Sequence, residues 1–242
     1  MTPPTEEWDA SWEAQLSAPT PGLEAPTLEN HIDAGKLAFL ADLLPSEGRV
    51  IEIGCGSARL LARVQRATRL DAYALDPSPQ AVRLAGRTAA ALGTPMRLLR
   101  GDACQLPFPD GAFAIVLSGG LLEHFEDPRP VMAEMVRVLR PGGTFYADVV
   151  PRKPSLYRLR ELPRMMRSSA LMPGVDESAH GPAHYRRVLT ELGCEPARIR
   201  SAGVYPPGVG AGWARPMAVL DGTPVADWLG WYFMIAARRA GS

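Results

Sequence analysis

Apolar positions in this chain fall into short unbroken runs separated by stretches of helical spacing. Val50, Ile51 and Ile53 form the first run, Leu70 to Leu75 the second and Met96 to Leu99 the third. Phe113 to Leu117 and Thr144 to Val150 complete a set of five. Runs of this kind suit parallel strands covered on both faces. Between them the period changes. An amphipathic helix is predicted from about Leu28 to Leu44, where Ile32, Leu37, Leu40 and Leu44 share a face and Pro45 ends it. Ser57 to Val64 reads as the helix after the first strand, and Gln80 to Leu92 as the next, stopped by Gly93. Asp127-Pro128 caps a further helix to Leu139, which Arg140-Pro141-Gly142-Gly143 breaks. Strands alternating with helices predict an α/β domain with right-handed crossovers.

After Pro151 the rhythm is lost. Residues 152–181 carry Arg152, Lys153, Arg158, Arg160, Arg164 and Arg167 among Leu156, Tyr157, Leu159, Leu162, Met165 and Met166. That is an amphipathic insertion, read either as a lid over the site or as a solvated helix face. Pro182 to Leu192 is predicted helix stopped by Gly193, Arg198 to Val204 strand, residues 205–224 a Pro/Gly-rich loop, and Leu229 to Ala237 a closing strand. Residues 1–27 are rich in Pro, Thr and Glu. Trp8 and Trp12, four apart, fall on one helical face and predict a short helix that docks. The chain thus reads as one domain: an extension over 1–27, a core over 28–150, an insertion over 151–181, and the rest of the core over 182–242.

A chain of 242 residues supports one well-buried domain. Its 26 basic residues balance 26 acidic ones, so no global field argues for nucleic acid. All the basic residues but Lys36 and Lys153 are arginine, which with the abundant Ala, Gly and Pro reads as coding bias. Cys55, Cys104 and Cys194 are odd in number and lack a C-x-x-C pair, which suits a reducing cytoplasm and argues against a metal site. The acidic N-terminus does not read as a signal peptide, and no apolar run approaches the ~18 residues of a membrane span.

The candidate chemistry centres on R-V-I-E-I-G-C-G-S-A-R-L, from Arg49 to Leu60. Gly54 and Gly56 turn the chain between strand and helix, and their missing Cβ atoms let a ligand reach the backbone. A dinucleotide fingerprint wants a third glycine where Arg59 stands. Glu52 puts a carboxylate near the strand's end, suited to an ammonium or hydroxyl. Asp76 lies 22 residues past Gly54, close to the ~20 at which an acid meets a ribose in nucleotide-binding units. It fits two roles, ribose acceptor and cap of the next helix, and the two can coexist.

Five pieces in order, I-E-I-G-C-G-S-A-R-L, A-L-D-P-S, G-D-A-C-Q-L-P-F-P-D-G-A-F-A-I-V, L-E-H-F-E-D-P and L-R-P-G-G, resemble the class I S-adenosylmethionine-dependent methyltransferases. The likeness is greatest to the small-molecule group that includes quinone-biosynthesis methylases. It implies a Rossmann-like, doubly wound, seven-stranded, mostly parallel sheet whose last strand is antiparallel, with a helical lid. It also implies S-adenosylmethionine as cofactor. Glu52, Gly54, Cys55 and Gly56 would then line its methionine end, and Asp76 with Pro77 the ribose. Asp102 and Ala103 would meet the adenine, and Ser118 the sulfonium. Ala58 departs from the pattern, since many relatives have a third glycine there. The resemblance leaves the acceptor open: a small molecule methylated at oxygen or nitrogen, anionic or lipid-like if the basic lid meets it. The absence of N-P-P-Y or D-P-P-Y speaks against nucleic acid. His124, His180 and His184 are the candidate bases, with His124 tying its loop to the next helix as the alternative. A methyltransferase-fold binding protein without turnover, or a protein or RNA methylase, is the rival reading.

Overall fold

Seven strands form one sheet in the order β3-β2-β1-β4-β5-β7-β6. They span Arg49–Ile53 (β1), Asp71–Asp76 (β2), Met96–Arg100 (β3), Phe113–Gly119 (β4), Leu139–Val149 (β5), Arg198–Ala202 (β6) and Tyr232–Arg238 (β7). The first five pair in parallel, and β7 runs antiparallel to both β5 and β6. This computed structural model describes residues 5–153, 155–156, 177–205 and 210–241. Most of the expected basic lid, residues 154 and 157–176, lies outside the described residues.

Alternation along the central strands explains their unbroken apolar runs. Val50, Ile115 and Leu117 face one side, where they pack with Phe39, Leu40, Leu61 and Val64. Ile51, Ile53 and Val116 face the other, against Val131, Met135, Tyr185 and Leu189. Helices α2 (Leu28–Leu40), α3 (Arg59–Thr68) and α4 (Pro79–Leu92) cover the first side. Helix α5 (Arg129–Val138) and helix α6 (Pro182–Glu191) cover the second. Both faces are therefore buried, as a doubly wound sheet requires.

Several boundaries differ from the sequence expectation, each for a local reason. Helix α3 starts at Arg59 rather than Ser57 because Ala58 takes a left-handed conformation at the N-cap, with φ 54°. The Arg140–Gly143 segment, expected as a helix breaker ahead of the fifth strand, belongs to β5, and helix α5 ends at Val138. Phe113 pairs with Leu139 and Ile115 with Thr144, so these four residues bulge out of register. The region 205–224 is not all loop. Helix α7 (Ala211–Met217) follows Gly210, a 3-10 turn spans Ala218–Leu220, and helix α8 (Pro224–Leu229) starts with proline in its first turn. Their buried positions are Ala211, Ala214 and Ala226, small residues that leave little apolar periodicity to read. The closing strand consequently begins at Tyr232, not Leu229.

Residues 5–27 of the N-terminal extension are folded. Helix α1 (Thr5–Leu16) is followed by a segment strapped to α3 through Asn30. Asn30 Nδ2 donates to the Gly22 and Ala25 carbonyls at 2.8 Å each. Its Oδ1 accepts from Arg59 and, at 2.9 Å, from Arg63, while Arg63 also donates to the Leu23 carbonyl at 2.6 Å. Asn30→Ala takes one acceptor from each of the buried Arg59 and Arg63 guanidinium groups, while the Gly22 and Ala25 carbonyls keep the Ala25 and Thr27 N–H groups, so it should cost about 1–3 kcal/mol. Urea unfolding followed by circular dichroism reads this, and a loss below about 0.5 kcal/mol would remove the strap from the account.

Candidate active site

A cavity of about 370 Å³ opens at the carboxyl ends of β1, β2 and β4. This is the crevice where the order of an open α/β sheet reverses, between β1 and β4. Its floor is the turn after β1. Gly54 and Cys55 donate their N–H groups to the Leu75 carbonyl at 2.9 and 3.1 Å. Gly56 donates to Asp76 Oδ2 at 3.0 Å. Both glycines have positive φ, 66° and 47°. A Cβ on Gly54 would stand 3.0 Å from Leu121, and one on Gly56 2.9 Å from Trp12. Glycine is needed there for conformation and for space.

Asp76 stands at the end of β2, where Oδ1 accepts the Ser78 N–H at 2.9 Å. Ser78 in turn caps α4 by accepting from Gln80 and Ala81. Capping thus falls to Ser78 rather than Asp76. Burial raises the Asp76 pKa, and the Gly56 and Ser78 N–H groups pull it back. Each oxygen accepts one backbone donor and keeps a lone pair free for a hydroxyl.

Glu52 is fully enclosed, and burial pushes its carboxyl up to about 8. Its Oε2 accepts the Leu61 N–H at 3.3 Å. Beside it lies a charged set that the sequence did not announce. Lys36 Nζ meets Asp148 Oδ2 at 2.9 Å, and the Tyr146 hydroxyl donates to Asp148 Oδ1 at 3.2 Å. Asp33 sits 3.7 Å from Arg59. Burial opposes the charge on Lys36, yet Asp148, Asp33 and Glu52 together hold its pKa above the ordinary value. Asp33 is raised by burial and drawn back by Lys36 and Arg59. Lys36, Asp33, Glu52 and Arg59 all line the cavity. Lys36 and Asp33 come from one helix, three apart, a spacing that by itself reads as a solvated face.

Of the residues expected at the site, Glu52, Gly54, Cys55, Gly56, Asp76, Pro77, Ala103 and His124 line the cavity. The others lie off its wall. Ser118 is buried and its hydroxyl donates to the Ile53 carbonyl at 3.1 Å. Asp102 is exposed and accepts the Cys104 N–H at 2.9 Å, while its neighbour Ala103 reaches the cavity. His180 and His184 stack on each other at 3.9 Å near the start of α6. His180 Nε2 donates to the Glu126 carbonyl at 2.9 Å, and Arg187 donates to His184 Nδ1 at 3.4 Å. Burial lowers the His184 pKa, with His180 and Arg187 adding to it. His124 stands in a 3-10 turn, Leu122–His124, with Trp8 edge-on at 4.9 Å. Its neighbour Glu123 points away from the cavity wall. The Val150 N–H donates to Glu123 Oε1 at 3.1 Å, Oε2 has no hydrogen-bond partner among the described residues, and burial raises the carboxyl to about 8.

Residues 51–147 match the family model described as a methyltransferase domain. Ajmaline N-methyltransferase of Rauvolfia serpentina is 33% identical over 115 residues, 44% of this chain and 40% of that protein. A demethylmenaquinone methyltransferase of Thermus thermophilus is 35% identical over 107 residues, 44% of this chain and 49% of that protein. The chain thus spans half or less of the length of these curated relatives. Among solved structures, a Thermotoga maritima S-adenosylmethionine-dependent methyltransferase, possibly acting on histamine, superposes with TM-score 0.61 at 19% identity. That match covers 86% of this chain and 89% of the other. A geranyl diphosphate C-methyltransferase of Streptomyces coelicolor gives 0.62 at 18%, over 87% and 77%. The fold is that of the class I methyltransferases.

Glu52 titrates about 8 in the folded protein against an ordinary 4.5. Between those values the folded state binds the extra proton, so stability falls as pH rises through the window. Glu52→Gln removes that loss. Its melting temperature should gain on the parent's progressively from about pH 4.5 to about pH 8, then level off, in the ligand-free protein. A difference that stays flat across the range would place Glu52 in contact with water instead.

Proposed function

We propose that this chain, whose residues 51–147 match the methyltransferase domain family, is an S-adenosylmethionine-dependent methyltransferase acting on a small molecule at oxygen or nitrogen. The observation that carries the reading is the pairing of Asp76 with Gly56 across one corner of the cavity. That corner offers a two-oxygen acceptor for a ribose diol over a backbone without Cβ atoms. The rest of the wall fits the same group. Glu52 is a buried carboxyl that accepts the Leu61 N–H and, among the described residues, has no cation within ion-pair distance, which suits the cofactor's ammonium. Lys36 offers a cation for its carboxylate.

Bound there, the cofactor supplies a methyl group that its sulfonium already makes electrophilic. This chain's residues then have three tasks. Glu52, Lys36 and Asp76 fix position, which supplies most of what an in-line transfer needs. Leu121, Phe125 and the tryptophans of the wall keep water out. His124, on the wall beyond the end of β4, takes the proton of a hydroxyl or ammonium acceptor, a transfer suited to an imidazole. Small-molecule acceptors are supported by the relatives, whose names give ajmaline and demethylmenaquinone.

Asp76→Ala removes the ribose acceptor, with charge-assisted bonds worth ~1.5–3 kcal/mol each. Calorimetry with S-adenosylhomocysteine should show affinity at least about tenfold lower, with circular dichroism unchanged. Equal affinities would overturn the assignment of Asp76. For His124→Gln, turnover on an acceptor found with labelled cofactor should fall by ~10² or more while cofactor affinity holds. An early-melting variant that keeps its turnover would make His124 structural.

A further inference from the structure

Helix α1 differs from a helix that packs only for stability. Its aromatic residues are Trp8 and Trp12, one turn apart and stacked with centroids 6.0 Å from each other and planes 17° apart. Both look into the cavity rather than into either core cluster. Trp12 lies directly on Gly56, where a Cβ would come within 2.9 Å of Cη2 and 3.1 Å of Cζ2. Trp8 meets the ring of His124, and Gln15, one turn beyond Trp12, lines the same wall.

The rest of α1 is held by polar tethers on α4. The Ser78 hydroxyl donates to Asp9, and Ser78 N–H donates to Asp76. At the other end Arg87 donates to the Leu16 and Ala18 carbonyls and, at 3.1 Å, to Thr20 Oγ1. A cation on the terminal carbonyls of a helix is favourably placed. Asp9, Ser78, Asp76, Gly56 and Trp12 therefore close a ring of contacts around one corner of the cavity.

We propose that α1 is the cover of the cofactor site, with Trp12 as the surface that packs on the nucleoside part of the bound cofactor above Gly56. The inference rests on the reading that this cavity takes S-adenosylmethionine. A ligand lying against the Gly56 backbone needs the space in which the Trp12 ring now rests. The ring lifts from the backbone and settles on the outer face of the ligand, while the Asp9 and Arg87 tethers keep α1 over the opening. An indole suits the task because it gives a broad flat face at low cost in rotamer freedom. The extension would then complete the site, with Trp8 carrying the same cover as far as His124.

The test uses the full chain and S-adenosylhomocysteine as the probe, with binding read by calorimetry and by tryptophan fluorescence. Wild type should bind with a saturable fluorescence change. Trp12→Ala should bind about tenfold more weakly, and Trp12→Phe should recover most of the loss. Arg87→Ala, which is off the cavity wall, should also weaken binding severalfold by releasing α1. If Trp12→Ala does not fold, Trp12→Phe and Arg87→Ala carry the test, through the fluorescence change and the affinity respectively. Unchanged or tighter binding by Trp12→Ala, or unchanged binding by Arg87→Ala, overturns the cover. A wild type that does not bind the probe overturns the methyltransferase reading itself.

Discussion

Three consecutive backbone N–H groups aim at the end of one strand, and the rest of the site depends on that. Gly54 and Cys55 donate to the Leu75 carbonyl and Gly56 to the Asp76 carboxylate. The turn after β1 is thereby fixed to β2, and the Asp76 side chain is fixed with it. The same bonds decide what the turn cannot do. In phosphate-binding loops the N–H groups face the ligand, whereas here all three are spent inside the protein. What the corner offers a ligand is carboxylate oxygen and bare glycine backbone. That is a surface for hydroxyl and ammonium donors, consistent with a nucleoside that carries no phosphate.

Burial makes the second half of the site electrostatic. Asp33, Glu52 and Asp148 lie within reach of Lys36 in a region with little water. Taking such charges out of water is costly, and a buried pair gains little net stability unless its geometry is good and its other valences are filled. Asp148 meets the condition through Lys36 and the Tyr146 hydroxyl. Glu52 does not, and its carboxyl rises to about 8. A buried carboxyl with one backbone donor is where an external cation gains most.

Much of this was legible in the sequence, for reasons that can be named. The central strands are buried on both faces, so Val50, Ile51, Ile53 and Phe113 to Leu117 show apolar runs with nothing to confuse them. Trp8 and Trp12 at helical spacing foretold the docked α1. Less visible were features made by small residues or by tertiary contact. Helices α7 and α8 are buried through Ala211, Ala214 and Ala226, in a segment whose Gly and Pro content reads as loop. Leu139 joins β5 because a bulge absorbs Arg140–Gly143, which no local pattern announces. Lys36, Asp33 and Asp148 were missed as site residues because their partners lie far apart in sequence. The resemblance puts Ser118 by the sulfonium, and no local pattern shows that its hydroxyl donates to the Ile53 carbonyl.

A Glu52 carboxyl that receives the cofactor's ammonium, as proposed, goes from neutral in the ligand-free protein to charged in the complex. Titrating S-adenosylhomocysteine at about pH 7 into the protein, in buffers of different ionisation enthalpy, counts the protons exchanged on binding. With Glu52 at about 8, binding should release most of one proton, and the release should vanish in Glu52→Gln. Binding without proton release in the wild type would contradict it.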